Sequence, residues 1–221
     1  MDNKLGLSSV QKSKTFVVLS PVGPYYPRGF VPVKLYCDTS IVRAWPRGFG
    51  DKKIGGNYAP TLKTGRKGVE VYGADQVLWL LHDYVTEVGT MNFFVLWKNE
   101  NGEDELITPP LDGTILPGVT RDSILTLCRE FDEFKVSVKA FKIQELMKAC
   151  KENRVYEAFG AGTAAIVSPV MQFTYGTEVY QIPIQIDKGA GKQTMRIQQL
   201  LNDIQYGRVK RPQWQYEVCK M

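Results

Sequence analysis

Short apolar runs separated by turn residues dominate this chain, and only a few stretches show a helical period. Thr15-Phe16-Val17-Val18-Leu19 is β-branched and aromatic, which predicts a strand. Pro21 to Pro32 holds four prolines and two glycines and reads as an extended linker. Val33 to Tyr36 resumes a strand, and Val77-Leu78-Trp79-Leu80-Leu81 reads as a buried one. Asn57 to about Lys67 predicts a helix with Asn57 as N-cap and Pro60 confined to its first turn. Asn92 to Trp97 predicts another strand, and Asn101-Gly102 marks a hairpin turn before Leu106-Ile107. Thr120 to Phe131 places Ile124, Leu125, Leu127 and Cys128 at helical spacing. Phe134 to Val138 alternates like a strand, Ile143 to Cys150 is helical, and Ala164 to Val170 reads as a strand. Ile197, Leu200, Leu201 and Ile204 make Met195 to Ile204 an amphipathic final helix. Strands and helices mix without regular βαβ alternation, so the expected class is mixed α/β (α+β), not a doubly wound sheet.

The totals narrow the partners. With 221 residues, 43% hydrophobic and 23% charged, the chain suits one globular domain with room for an appendage. No apolar run approaches a membrane span, and Met1-Asp2-Asn3-Lys4 leads into no signal-peptide core, so no membrane role is expected. The net charge of +5 is scattered apart from short clusters such as Arg208, Lys210 and Arg211, which read as solvated faces and not as a nucleic-acid stripe. Cys37, Cys128, Cys150 and Cys219 are far apart, with no C-x-x-C pair, so neither a metal site nor a disulfide framework is expected. A reducing, cytoplasmic location fits this usage, with a mitochondrial one as the alternative. The single histidine, His82, ends an apolar run and reads as structural or surface.

The first candidate for chemistry is Gly50-Asp51-Lys52-Lys53-Ile54-Gly55-Gly56-Asn57-Tyr58. A lysine amine attacks carbonyl carbon to form a Schiff base. Gly55 and Gly56 let backbone pass close to a ligand. From the residues alone the plainer reading is a basic surface loop before a helix. Glu87 sits between Val85 and Val88 and, if buried, needs a cationic partner. Gly118-Val119-Thr120 opens a helix, where free backbone N–H groups and a hydroxyl bind phosphate well.

Order along the chain adds more. Lys53-x-Gly-Gly-Asn57-Tyr58 is followed by Thr86-Glu87-Val88-Gly89-Thr90-Met91-Asn92, then by Thr108-Pro109-Pro110-Leu111-Asp112-Gly113-Thr114-Ile115-Leu116-Pro117-Gly118-Val119-Thr120-Arg121, then by Phe159-Gly160-Ala161-Gly162-Thr163-Ala164. With Arg43-Ala44-Trp45 in front, these blocks resemble the branched-chain aminotransferases of the pyridoxal-phosphate fold-type IV class, most closely the eukaryotic type. The resemblance runs from about Leu5 to Tyr206.

The resemblance implies pyridoxal 5'-phosphate as cofactor and reversible amino transfer between leucine, isoleucine or valine and 2-oxoglutarate. It implies that Lys53, and not its neighbour Lys52, holds the cofactor and serves as the base, a role that needs a neutral amine. Glu87 would face the pyridine nitrogen, with Arg43 close to this carboxylate and to the cofactor. Tyr58 would donate to the cofactor's phenolic oxygen, and Leu116 would pack on a ring face. Val119, Thr120 and Thr163 would hold the phosphate. The N–H groups of Thr163 and Ala164 would take the substrate carboxylate, with Thr90 and Tyr25 lining the substrate side. A homodimer is also implied.

Two departures stand out. Family members carry a smaller domain before the linker, and most of it is missing here. The resemblance thus predicts an N-terminally truncated chain, with residues 1–23 a remnant, 24–32 the linker and 33–221 the cofactor-binding domain. Some animal members carry C-x-x-C after the Gly-Thr-Ala block, whereas this chain has Ala165 and Ser168, so no thiol switch is expected. Two rival readings remain: another enzyme of the same fold class, such as a D-amino-acid aminotransferase or aminodeoxychorismate lyase, and an inactive fragment serving only as a cofactor-binding or dimerisation module. The Glu87 to Asn92 and Thr108 to Arg121 blocks argue against the first.

Overall fold

A computed structural model describes residues 9, 12–23, 29–184 and 189–218. Its strands are β1 (Val33–Asp38), β2 (Gln76–Leu81), β3 (Tyr84–Val88), β4 (Met91–Lys98), β5 (Asp104–Thr108), β6 (Lys135–Val138), β7 (Val155–Gly162), β8 (Ile166–Tyr175) and β9 (Glu178–Gln181). The helices are α1 (Leu62–Tyr72), α2 (Val119–Phe131), α3 (Ile143–Lys151) and α4 (Lys192–Gln205). The mixed α/β expectation matches this architecture.

All nine strands join one sheet in the order β3-β2-β1-β8-β7-β4-β5-β6, with β9 on β8. An additional pairing of β3 with β4 returns the path on itself. Six strands therefore close into a ring, which removes two sheet edges that would otherwise invite pairing. β1 runs parallel to both β2 and β8, while β3, β4 and β7 are antiparallel to their neighbours.

The apolar run of β4 is continuous because both of its faces are covered. Phe93, Val95 and Trp97 join one core cluster with Phe141, Leu146 and Phe173. Phe94 and Leu96 join the other, with Ile124 and Leu127 of α2 and Ile197 and Leu201 of α4. Phe94 and Phe159, cross-strand partners, stack at 5.1 Å between ring centroids. Each such large side chain contributes about 1.5–3 kcal/mol on burial.

Several expectations need correcting. Thr15 to Leu19 forms no strand, and Phe16, Val17, Val18 and Leu19 lie exposed. A strand exists only where a neighbour takes its N–H and C=O groups, and among the described residues none does. The helix expected from Asn57 begins at Leu62, preceded by two single 3₁₀ turns at Gly55–Asn57 and Ala59–Thr61. Pro60 falls in the second turn. Asn57 is no N-cap for that helix; its Nδ2 donates to the carbonyls of Phe49 (2.5 Å) and Lys52 (2.7 Å). The strand expected from Ala164 starts at Ile166, because 163–165 form the turn out of β7. Strands β3, β7 and β9 were not expected: Thr86 and Glu87 interrupt the apolar pattern of β3, and Ala and Gly dilute that of β7. His82 and Asp83, with φ of 49° and 66°, form the exposed two-residue turn between β2 and β3.

Candidate active site

The site lies where β3, β4 and the β7–β8 turn meet the N-terminus of α2. Val88 and Met91 pair across a two-residue turn, Gly89-Thr90, whose first residue has φ +57° and so favours glycine. This hairpin sets Glu87 opposite Asn92. A long loop, 109–118, then returns from β5 to α2. It is held by Arg121 Nη2 on the Pro109 carbonyl (2.9 Å) and by Asp112 Oδ1, which accepts from Thr114 N (2.9 Å) and Oγ1 (2.6 Å).

Glu87 is the buried acid of the site, 2% exposed. Arg43 Nε stands 3.0 Å from its Oε2. Leu116 N–H donates to its Oε1 at 2.7 Å, and Asn92 Nδ2 approaches the same oxygen at 3.3 Å. Burial pushes the Glu87 carboxyl up from 4.5 to about 7, against the lowering pull of Arg43, the Leu116 N–H and Lys53. Arg43 also donates through Nη1 to the carbonyls of Thr114 (3.0 Å) and Gly50 (3.4 Å). It thereby joins the acid to both the loop before α2 and the loop carrying Lys53. Gly50 is glycine for space: a Cβ there would stand 2.5 Å from Ala44 Cβ and 2.7 Å from the Thr114 carbonyl oxygen.

The two lysines separate. Lys52 pairs with Asp51 at 2.8 Å on the surface. Lys53 lines the cavity, and its Nζ lies 4.8 Å from the centroid of the Tyr58 ring. Arg43 Cζ lies 5.9 Å from the same ring, so both cations stand within cation–π reach of Tyr58.

The cavity, about 340 Å³, brings together Lys53, Glu87, Thr90, Leu116, Val119, Thr120, Thr163 and Ala164 from four separate segments. Arg43 and Tyr58 adjoin it without lining it; Tyr25 lies outside the described residues. Gly118, which opens α2, lines it as well, and so do Met91 and Asn92, to which the sequence assigns no role. Their presence inside the quoted blocks was the available signal. Ile166, closing the β7–β8 turn, holds φ +58°, a strained value for a β-branched residue.

The residues fit an anionic carbonyl ligand. Gly118 caps α2 with extended backbone (φ −70°, ψ 134°) and no side-chain cap. The first N–H bonded back into the helix is that of Asp122, to the Gly118 carbonyl at 3.0 Å. The N–H groups of Val119 and Thr120 therefore point out of the helix end without an intrahelical acceptor, as phosphate requires. An amine and a buried acid complete the donor set. Among the described residues there is no cluster of three or more candidate metal ligands, and no helix is long and apolar enough to cross a membrane.

A closed mixed barrel with a lysine, a buried Arg–Glu pair and an open helix N-terminus at one cavity defines a class of site suited to an anionic aldehyde. The chain belongs to the amino-transferase class IV family, whose model matches residues 3–173. It is 57% identical over 210 residues to a branched-chain-amino-acid aminotransferase of Dictyostelium discoideum, covering 93% of this chain and 54% of that protein. It is 48% identical over 218 residues to a mitochondrial one of Schizosaccharomyces pombe, covering 96% and 51%. A cytosolic one of Mus musculus is 48% identical over 217 residues, covering 97% and 55%. The chain thus spans about half the length of these relatives. Among solved structures, the branched-chain amino acid aminotransferase of Escherichia coli superimposes with a TM-score of 0.70 at 27% identity, over 88% of this chain and 58% of that one. A second solved branched-chain amino acid aminotransferase, complexed with N-(5'-phosphopyridoxyl)-L-glutamate, gives 0.64 at 26% identity, over 83% and 54%.

Proposed function

We propose that this chain carries the cofactor-binding part of a branched-chain amino acid aminotransferase, which moves an amino group reversibly between leucine, isoleucine or valine and 2-oxoglutarate. The proposed cofactor is pyridoxal 5'-phosphate, held by residues within 33–221. The observation that carries this reading is the convergence of Lys53, Glu87 and the α2 N-terminus on one cavity. The relatives' names and the phosphopyridoxyl group in the second solved structure support it.

In this reading Lys53 would hold the cofactor at its carbonyl carbon, and its free amine would take and return the proton at the substrate Cα. Bound pyridoxal phosphate supplies the electron sink for that carbon. Glu87, kept close to Arg43, holds a proton on the ring nitrogen. Tyr58 donates to the phenolic oxygen, and Leu116 packs on the ring. The N–H groups of Val119 and Thr120 and the Thr163 hydroxyl bind phosphate. The N–H groups of Thr163 and Ala164 take the substrate carboxylate, with Thr90 and Tyr25 on the substrate side. Exposed Trp45, Phe49 and Ile54 beside the Lys53 loop support a partner surface, here a second copy of the chain. A reducing compartment, the cytoplasm, suits the unpaired thiols of Cys37, Cys128 and Cys150.

Borohydride reduction of the chain with pyridoxal phosphate, followed by peptide mapping, tests the reading. The expected adduct is on Lys53, and coupled assay with leucine and 2-oxoglutarate should depend on it. Labelling of Lys52 instead, or no adduct at all, removes the assignment.

A further inference from the structure

Asn92 stands where three parts of the site cross. Its backbone pairs with Glu87 of β3 and with Ala161 of β7. Its side chain is buried and donates through Nδ2 to the Leu116 carbonyl at 2.8 Å and to Glu87 Oε1 at 3.3 Å. Leu116 N–H donates to that same Glu87 oxygen at 2.7 Å. Both partners of the Asn92 amide nitrogen are acceptors, so the amide has one workable orientation. Its oxygen then faces Gly118, the cap of α2. A Cβ at Gly118 would stand 2.3 Å from Asn92 Oδ1; the Asn92 Cγ and the Arg121 Cβ would follow at 3.5 Å and 3.6 Å, ordinary contacts. The φ of Gly118, −70°, is open to any residue. Asn92, and not backbone conformation, is what requires glycine at 118.

One side chain therefore touches the acid at one end of the cavity and the phosphate-facing helix end at the other. We propose that Asn92 is a positioning residue that fixes the spacing and orientation between Glu87 and the N-terminus of α2, with Gly118 as its obligate neighbour. This rests on the proposed cofactor only for its consequence; the packing and hydrogen bonds stand without it. A leucine at 92 would fill similar space but leave the Leu116 carbonyl without its donor and Glu87 Oε1 with the Leu116 N–H alone. A glutamine would drive its longer amide into Gly118. An aspartate would set a second carboxylate against Glu87. The charged groups that face Glu87 among the described residues are Arg43 and Lys53, and none of these changes alters them.

The test uses the full chain and three readouts. In a double-mutant cycle, Gly118→Ala should lower the melting temperature in the native background and cost much less beside Asn92→Ser, where the clash is gone. Equal losses in both backgrounds overturn the proposal. In the cofactor-free chain, NMR of the Glu87 side-chain carboxyl carbon, assigned by its loss in Glu87→Gln, should titrate about one pH unit higher in Asn92→Leu, about tenfold in the ionisation constant. An unchanged midpoint overturns the proposal, since a merely structural Asn92 would not hold the charged form. Absorbance titration with pyridoxal 5'-phosphate should show at least about tenfold weaker binding in Asn92→Leu. Native affinity in a variant with a lowered melting temperature overturns the positioning role. Should the native chain bind no pyridoxal phosphate, the functional reading fails, and the cycle and the Glu87 titration still decide Asn92.

Discussion

Arg43 Nε and Glu87 Oε2 stand 3.0 Å apart with both side chains 2% exposed. The pair joins three segments that are distant in sequence: the loop after β1, strand β3, and, through Thr114 and Leu116, the loop before α2. An acid buried this deeply remains available for chemistry only because a fixed cation and two N–H donors face it.

Arg43→Met should therefore be severe. It strands a carboxylate in a dry site and cuts the link to Thr114. The expected loss is about 3–5 kcal/mol of folding stability, read from denaturant unfolding above the pH at which Glu87 titrates. Adding Glu87→Gln to Arg43→Met should recover part of it, because the stranded charge is gone. A loss under about 1 kcal/mol would mean that water reaches the pair and screens it.

Glu87 also predicts how stability depends on pH. Its folded value is about 7 against an ordinary 4.5. Between those values the folded chain keeps a proton that the unfolded chain releases. The contribution of Glu87 is then complete below about 4.5 and is lost as pH rises through about 7, roughly 3 kcal/mol in all. In Glu87→Gln this downward slope should disappear from urea midpoints measured across the window. Cofactor binding should run the opposite way, weakening as pH falls below about 7, because in the proposed site only the charged acid would hold a ring-nitrogen proton.

Val119→Pro separates helix formation from phosphate binding. Val119 is the first residue of α2, where proline is favoured because its N–H has no intrahelical role. The extended Gly118 before it also suits a following proline. Folding stability should stay within about 0.5 kcal/mol of native. Affinity for pyridoxal phosphate should fall about ten- to a hundredfold, the worth of one hydrogen bond to a charged group. Unchanged affinity, by absorbance titration, would remove this N–H from the cradle.

Much of the site was legible because chemistry was written in compact blocks. Lys53 with Gly55 and Gly56, Glu87 between valines, and Gly118 before a helical period each carry a local physical meaning. The segments that failed to read were those whose partners are remote. Thr15 to Leu19 has the composition of a strand and, among the described residues, no neighbour to pair with. Strand β3 has a polar centre and becomes a strand because β2 and β4 flank it. Asn57 looked like a cap and instead holds the Lys53 loop through two carbonyls.

What the sequence by itself determined is the mixed class, the helices α2, α3 and α4, the strands β1, β2, β4 and β8, and the residue types able to do the chemistry. Those follow from periodicity and local propensity, which act over a few residues. The resemblance implies Lys53 over Lys52 and sets Arg43 near Glu87; only the tertiary structure decided how they meet, with Arg43 Nε on Glu87 and Lys53 at the cavity, and that Asn92 spans from the acid to Gly118. Each of these depends on the closure of β3 onto β4 and on the path of the loop before α2. Closure is set by the burial of both faces of β4, a sum over many distant side chains that no single stretch of sequence contains.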